Sequence, residues 1–399
     1  MQPRPIRVLV ITPNPTDATS FYRARGVFPA LARDNPGIEF FDSEKLNWEI
    51  AIRADIIFLQ RPYTEDHVAA AKIVKDCNRA LWVDFDDDLF SVPMGNPAYQ
   101  HYSKEGTRKN IARVTAMADV VTVSTQQLRK KLLGLNKNII TIPNAFNDTI
   151  INWRPDPRME RHAIIMWRGS RTHDRDLERY LPQMAQVAEK NPGWQWLFLG
   201  EPSWRVTEVI PPNQRIIMPS IDPMQYWAEI AKIQPIIQIV PLEDNEFNRS
   251  KSNIAWIEAS YSGAATLAPN WEEWRRKGVV LYDSQEDFGR KLQNMIEQAQ
   301  ALPRMAHQSW EDVCAHFLLT RVNANRAQVI RSLAAQERKF GYESYQRLLQ
   351  QQKEMAASSA QASASTSKPS ATTTNGAEVP TSECMLTPDL GSLNPVSPP

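Results

Sequence analysis

Residues 163–174 read AIIMWRGSRTHD. Five apolar side chains, Ala163–Trp167, are closed at once by Arg168-Gly169-Ser170, and a helix-forming run opens at Asp174. A short continuous apolar run ended by a polar, glycine-containing turn is the pattern of a strand buried on both faces. Such strands belong to parallel sheets, in which a helix carries the chain back to begin the next strand. The unit recurs outward in both directions. Toward the C-terminus, Trp194–Gly200, Gln214–Met218, Pro235–Val240, Ala264–Ala268 and Val279–Tyr282 read as strands. Helices are expected between them over Asp174–Lys190, Pro223–Lys232, Lys251–Ser262 and Gln285–Ala299. Toward the N-terminus the strands are Ile6–Thr12, Asp55–Gln60, Ala80–Phe85, Asp119–Ser124 and Asn138–Ile142. Their helices are Phe21–Arg33, Glu65–Cys77, Lys104–Met117 and Thr125–Leu133.

The rhythm breaks at Pro143–Arg161, which holds three prolines and asparagine- and aspartate-bearing turns, so a linker is expected there. The fold class is therefore α/β: two Rossmann-like, doubly wound parallel-sheet domains facing across a cleft, over residues 1–150 and 151–320. Helical patterns continue over about 303–318 and 321–353. The segment 321–354 is expected to pack back on the first domain. Residues 355–399 are rich in Ser, Thr, Ala and Pro and lack aromatic residues, so a disordered tail is expected. In such sheets ligands bind beyond the carboxyl ends of strands, and residues just after each strand carry the weight.

Composition narrows the function. With 46 basic and 45 acidic side chains among 399 residues, binding of nucleic acid through one large basic field is excluded. Cys77, Cys314 and Cys384 are far apart, without metal spacing or a disulfide framework, and imply a reducing, cytoplasmic compartment. No secretory signal pattern opens the chain and no apolar run of about 18 residues occurs, so no transmembrane segment is expected. Only 14 glycines are present, and the G-x-G-x-x-G, P-loop, G-x-S-x-G and H-E-x-x-H motifs are absent. A phosphate site here must use donors other than a glycine-rich cradle.

Two segments offer such donors. Gly169 permits a tight turn after the 163–167 strand, Ser170 and Thr172 can bond to backbone, and Asp174 can cap the next helix. Arg168 and His173 then lie near a helix start, where free N–H groups favour anions; solvated charges on an ordinary capped turn are the alternative. Asn248–Glu258 (NRSKSNIAWIE) opens a helix after the 235–240 strand. Lys251 with the N–H groups of Ser252 and Asn253 can hold the same diphosphate, and Glu258, two turns on, can accept from ribose hydroxyls. The small-residue turn Ser262–Ala265 would let backbone approach a ligand. The opposite face, Ile254, Ile257 and Tyr261, is core.

These segments resemble the donor site of GT-B glycosyltransferases, most nearly the family 4-like group of bacterial and phage enzymes that includes O-antigen-synthesis proteins. Trp167–Asp174 is similar to that group's W-R-G-S-x-T-H-x-x-D stretch. Phe21-Tyr22-Arg23 resembles its tyrosine-arginine helix start, and Val83–Phe90 (VDFDDDLF) its aspartate-rich strand end. Val123-Ser124-Thr125 and Ile142–Asn147 resemble further elements, so the likeness spans about residues 6–320. The resemblance implies a nucleotide-sugar donor, retention of anomeric configuration, Glu258 on the ribose, and Lys251 and Arg168 on the phosphates. It departs where the group's first glutamate falls on Ser250, which puts the usual hexose contact in question, and Asn147 replaces an aspartate.

The acceptor side is expected from Tyr22, Arg23, Asp84, Asp86 and Asp87. Clustered carboxylates also suit Mg²⁺ or Mn²⁺, but the GT-B resemblance implies metal-free chemistry, and no metal or cofactor is assigned. Asp17, in the loop after the first strand, is a candidate base or orienter of the acceptor hydroxyl, with a turn-stabilising role as the alternative. The basic helix Gln126–Lys137 can touch anionic lipid at the inner membrane face or be a solvated surface. The acceptor itself (a glycan, a lipid-linked glycan, a protein or a modified DNA base) is left open, as is a non-catalytic binding role.

Overall fold

The computed structural model describes residues 4–12, 14–151 and 162–336, with isolated positions up to 350. It contains two six-stranded parallel sheets. The first is built from β1 (Ile6–Ile11), β2 (Ile38–Ser43), β3 (Ile56–Gln60), β4 (Ala80–Phe85), β5 (Val120–Val123) and β6 (Ile139–Thr141), in the order β2-β1-β3-β4-β5-β6. The second holds β7 (Ile164–Gly169), β8 (Gln195–Gly200), β9 (Arg215–Met218), β10 (Ile237–Ile239), β11 (Ala265–Pro269) and β12 (Val279–Tyr282), in the order β12-β11-β10-β7-β8-β9. Counted within its own half, the second order is the doubly wound 3-2-1-4-5-6 arrangement.

Alternation along each strand feeds a core on each face. In the first sheet Val8, Val10, Phe58 and Trp82 face one layer of helices, while Leu9, Ile11, Leu59 and Val83 face the other. In the second, Ile165, Trp167 and Phe198 lie on one side and Ile164, Met166 and Leu197 on the other. The helix Leu319–Ala334 sends Val322, Ile330 and Leu333 into the first sheet's core. Just before it, Phe146 bridges Leu318, so the chain crosses between halves there a second time.

Several elements differ from expectation. β2 is an edge strand whose outer positions stay partly solvated, so its apolar pattern was weak and it went unread. The run Phe21–Arg33 divides into helices Ala18–Arg23 and Phe28–Asp34; between them a Cβ on Gly26 would lie 2.2 Å from the Phe21 carbonyl oxygen. The run 174–190 divides into Asp174–Glu178 and Leu181–Lys190, the second starting with Pro182 in its first turn. The helix expected from Lys251 begins only at Ile254. The helix read over Thr125–Leu133 ends at Leu132. Most of 335–353, the linker residues 152–161 and the tail 355–399 lie outside the described residues. Among the described residues no helix is long and apolar enough to cross a membrane.

Candidate functional site

The carboxyl ends of both sheets meet at one cavity of about 390 Å³. The N-terminal half supplies Tyr22, Arg61, Asp86, Asp87, Tyr102 and Asn144; the C-terminal half supplies Arg168, Ser170, His173, Gln238, Lys251, Ser252 and Trp274. Arg61 follows β3, and Arg168 and Val240 lie at the ends of β7 and β10. These are the strands flanking each sheet's change of winding direction, where open α/β sheets bind ligands.

On the C-terminal wall Arg168 is fixed from behind. Its Nε forms an ion pair with Glu258 Oε2 at 2.6 Å, and that carboxylate accepts hydrogen bonds from Tyr22 Oη at 2.7 Å and Tyr226 Oη at 3.0 Å. Glu258 is only 3% exposed and does not line the cavity. It anchors Arg168 from behind the cavity wall. Burial alone would lower the Arg168 pKa, but Glu258 outweighs it and holds the guanidinium firmly charged. Burial, then Glu258, pushes both phenols well up. Tyr22 belongs to the first half and Glu258 to the second, so this buried hydrogen bond ties the halves together.

Lys251 sits in the turn before the helix Ile254–Ser262. Its Nζ is 4.5 Å from the Phe247 ring centre and 3.8 Å from Asp87 Oδ1 across the cleft. Ser252 Oγ accepts from Asn144 Nδ2 at 2.9 Å, another link between halves. Asn253 is the N-cap residue but makes no side-chain cap bond; it is buried and does not line the cavity. Ser250, at the position of the missing glutamate, is fully buried and donates to the Glu246 carbonyl at 3.0 Å. The turn 262–265 ends the helix with Gly263 at φ +81 and does not line the cavity.

After Arg168 comes one 3₁₀ turn, Arg171–His173, then the five-residue helix Asp174–Glu178, so the expected helix-start cradle is a tight turn instead. Asp174 is the first helical residue, and the N-cap position falls on His173. Ser170 and Thr172 hydroxyls lie 2.7 Å apart. His173 Nδ1 is 2.9 Å from Asp176 Oδ2; burial and then Lys251 lower the His173 pKa, favouring the neutral ring. Gly169 does not line the cavity but pairs with Gly200, which adopts φ +114. A Cβ on Gly200 would lie 2.0 Å from the Gly169 carbonyl oxygen, so only glycine closes this corner.

On the N-terminal wall the aspartate-rich strand end divides in two. Asp84, inside β4, turns inward: it receives Arg23 through Nε at 2.9 Å and Nη2 at 2.6 Å, and Thr122 Oγ1 at 2.6 Å. Arg23, with 0% side-chain exposure, also donates to the Ile142 carbonyl at 2.6 Å. This pair locks the first half internally, and neither residue reaches the cavity. Asp86 and Asp87, past the strand end, do line it, and both are gripped by Arg61. Asp17 caps the helix Ala18–Arg23, accepting from Ser20 N at 2.6 Å, and faces a separate depression beside Phe21 and Met224. The basic helix Gln126–Leu132 is committed to protein partners: Lys131 to Asp88 and Glu246, Lys130 to Glu272, Arg129 to the Ile139 carbonyl. Sequence reading missed Arg61, Tyr102, Gln238 and Trp274. Arg61 was the most findable, since it immediately follows a strand.

No protein-family model matches the sequence, and no curated protein is similar to it. Solved structures are. Sucrose-phosphate synthase from Thermosynechococcus elongatus is 15% identical, over 84% of this chain and 100% of that one, with a TM-score of 0.59. HepE from Anabaena, in complex with UDP and glucose, is 12% identical over 82% and 100%, with a TM-score of 0.59. An alpha-glucosyltransferase in complex with UDP-glucose and DNA is 11% identical over 82% and 99%, with a TM-score of 0.58. At these identities the likeness is one of fold, and the chain has the GT-B fold: two Rossmann-like halves facing each other across a cleft.

Proposed function

We propose that the chain is a glycosyltransferase that moves a sugar from a nucleotide-sugar donor to an acceptor hydroxyl. One observation carries this reading: a cavity at the winding switch of both sheets, with Arg168 held charged and aimed from one wall and Lys251 beside it. Two fixed cations suit the charge that grows on a leaving diphosphate as the anomeric carbon–oxygen bond breaks, and preorganised charges need no rearrangement at that moment. Ser170, His173 and Ser252 complete the donor wall. The acceptor oxygen approaches from the opposite wall, where Tyr22, Asp86 and Asp87 lie, and closure of the halves on the substrates would exclude water. That HepE and the alpha-glucosyltransferase were solved with UDP species supports a uridine donor as the first to try. Retention of configuration follows the family 4 resemblance, and the reaction is assigned no resident metal or cofactor. The wide spacing of Cys77, Cys314 and Cys384 in the sequence suits a cytoplasmic setting.

Ser250 favours a second reading, a non-catalytic nucleotide- or carbohydrate-binding protein, because its buried hydroxyl offers a donor sugar nothing. A hydrolysis screen with UDP, GDP, dTDP and CDP sugars, read by mass spectrometry, separates the two. The transferase reading expects turnover of at least one donor. Binding of a nucleotide without turnover of any sugar supports the second reading.

A further inference from the structure

We propose that Arg61, Asp86, Asp87 and Tyr102 form the acceptor subsite, and that the acceptor it takes is an uncharged sugar presenting neighbouring hydroxyls. The inference rests on the transferase reading above and adds the substrate class.

Charge is the first support. The N-terminal wall carries two carboxylates against one guanidinium, and that guanidinium is spent: Arg61 Nε meets Asp86 and Nη2 meets Asp87 Oδ2 at 2.7 Å. Lys131, at the same strand end, is bound to Asp88 and Glu246. A nucleic acid draws its affinity from neutralised phosphates, and among the described residues this wall of the cavity offers it no uncommitted cation.

Chemistry is the second. An ionised carboxylate only accepts, so its natural partners are hydroxyl donors, and adjacent hydroxyls of a sugar ring can share one carboxylate. Among the described residues no donor reaches Asp86 Oδ2. Burial works against ionisation of both aspartates: it prevails at Asp86, whose carboxyl is pushed up against the pull of Arg61, while Lys251 and Arg61 overcome it at Asp87, which ends below the usual carboxylate range. Tyr102 adds an aromatic ring to the same wall, able to cover the apolar face of a sugar.

Two further observations point to a polar ligand in this cavity. Gln238 and Trp274, residues only 1% and 2% exposed, line it, and their buried Oε1 and Nε1 have no hydrogen-bond partner among the described residues. A buried polar atom left unpaired costs about 1–3 kcal/mol, which a polar ligand here would relieve. Arg61 itself holds φ +46, a region that costs a non-glycine residue about 1–3 kcal/mol and that clusters at functional sites.

The test gives the full chain each nucleotide sugar of the screen with two kinds of acceptor: neutral methyl hexopyranosides and maltose, or a DNA duplex bearing 5-hydroxymethylcytosine. Transfer to a neutral sugar is expected, with little dependence on salt. Asp86→Asn should raise the acceptor KM about 10–100-fold, the worth of a hydrogen bond to a charged group, with a far smaller change in donor KM. Tyr102→Ala, which leaves the Arg61 ion pairs intact, should raise the acceptor KM in the same sense. Transfer to the duplex alone, falling steeply with salt, overturns the inference, as does an unchanged acceptor KM in both variants. Donor hydrolysis without transfer to any neutral sugar overturns this inference only. Absence of both donor binding and hydrolysis removes the transferase reading and this inference with it.

Discussion

Two buried arginines in the first half show how much a partner decides. Arg23 has its full set: a bidentate carboxylate and a backbone carbonyl. Arg326 has Asn323 Oδ1 at 3.1 Å and a bare Nη2, and burial, then the neighbouring Arg23, pulls its pKa down to about 9. Removing one partner of a buried pair costs about 3–5 kcal/mol, while replacing a poorly compensated buried charge with an apolar side chain is often neutral or stabilising. Thermal unfolding should therefore show a large loss for Arg23→Met and no loss, or a gain, for Arg326→Met. Equal losses would contradict this account. Glu273 makes a pH prediction. Burial raises its carboxyl to about 7 in the folded state, against the opposing pull of Arg276, from an ordinary value of 4.5. The folded protein then binds more protons than the unfolded chain between these values, so this residue's contribution falls as pH rises from about 4.5 to 7. Glu273→Gln should flatten that fall, which amounts to about 3 kcal/mol, in denaturant titrations across the window. The site was only half legible at this scale. Lys251, Arg168, Ser170, His173, Ser252, Tyr22, Asp86 and Asp87 line the cavity. Asp17, Arg23, Asp84, Gly169, Asn253 and Glu258 support it from behind or lie elsewhere. Sequence spacing marks a charged residue at a strand end, but only packing decides whether it turns toward the cleft or into the core, as Asp84 and Asp86 show.

At the scale of elements, the buried strands announced themselves, because a strand covered on both faces must be apolar throughout. β3 and β4 are buried along their whole length and lie where the sequence put them. What escaped was edge and interruption. β2 lacked a continuous apolar run, and the breaks at Gly26 and before Pro182 lie inside runs whose helical period continues across them. The helix expected from Lys251 starts later: Lys251 and Ser252 line the cavity, and Ser252 is held by Asn144 of the other half. The paired ends of β7 and β8 give this scale its prediction. Gly200→Ala places a methyl group against the Gly169 carbonyl at a positive φ, so a loss above about 1 kcal/mol is expected in chemical denaturation. A neutral substitution would show that this corner relaxes freely.

Across the whole molecule, the two halves are held by polar contacts converging on the cleft. Tyr22 reaches Glu258, Thr125 Oγ1 donates to the Ser250 carbonyl at 2.9 Å, Asn144 reaches Ser252, and Asn96 Nδ2 donates to the Thr172 carbonyl at 3.1 Å. The small loop glycine Gly95 lets Arg175 pass, since a Cβ there would lie 1.8 Å from its Cδ. The scarcity of glycine in the sequence thus fits a site whose anion-binding groups are side chains, Arg168 and Lys251, placed by the closure of two sheets. The central claim is that these cations serve a nucleotide-sugar diphosphate. Its most direct test is turnover of the screened nucleotide sugars by the intact chain and by Lys251→Ala, alongside nucleotide binding by calorimetry. The account predicts turnover of at least one donor and a loss of about 100-fold or more in the variant, with folding unchanged. Normal turnover by Lys251→Ala, or no binding of any nucleotide to the intact chain, would contradict it.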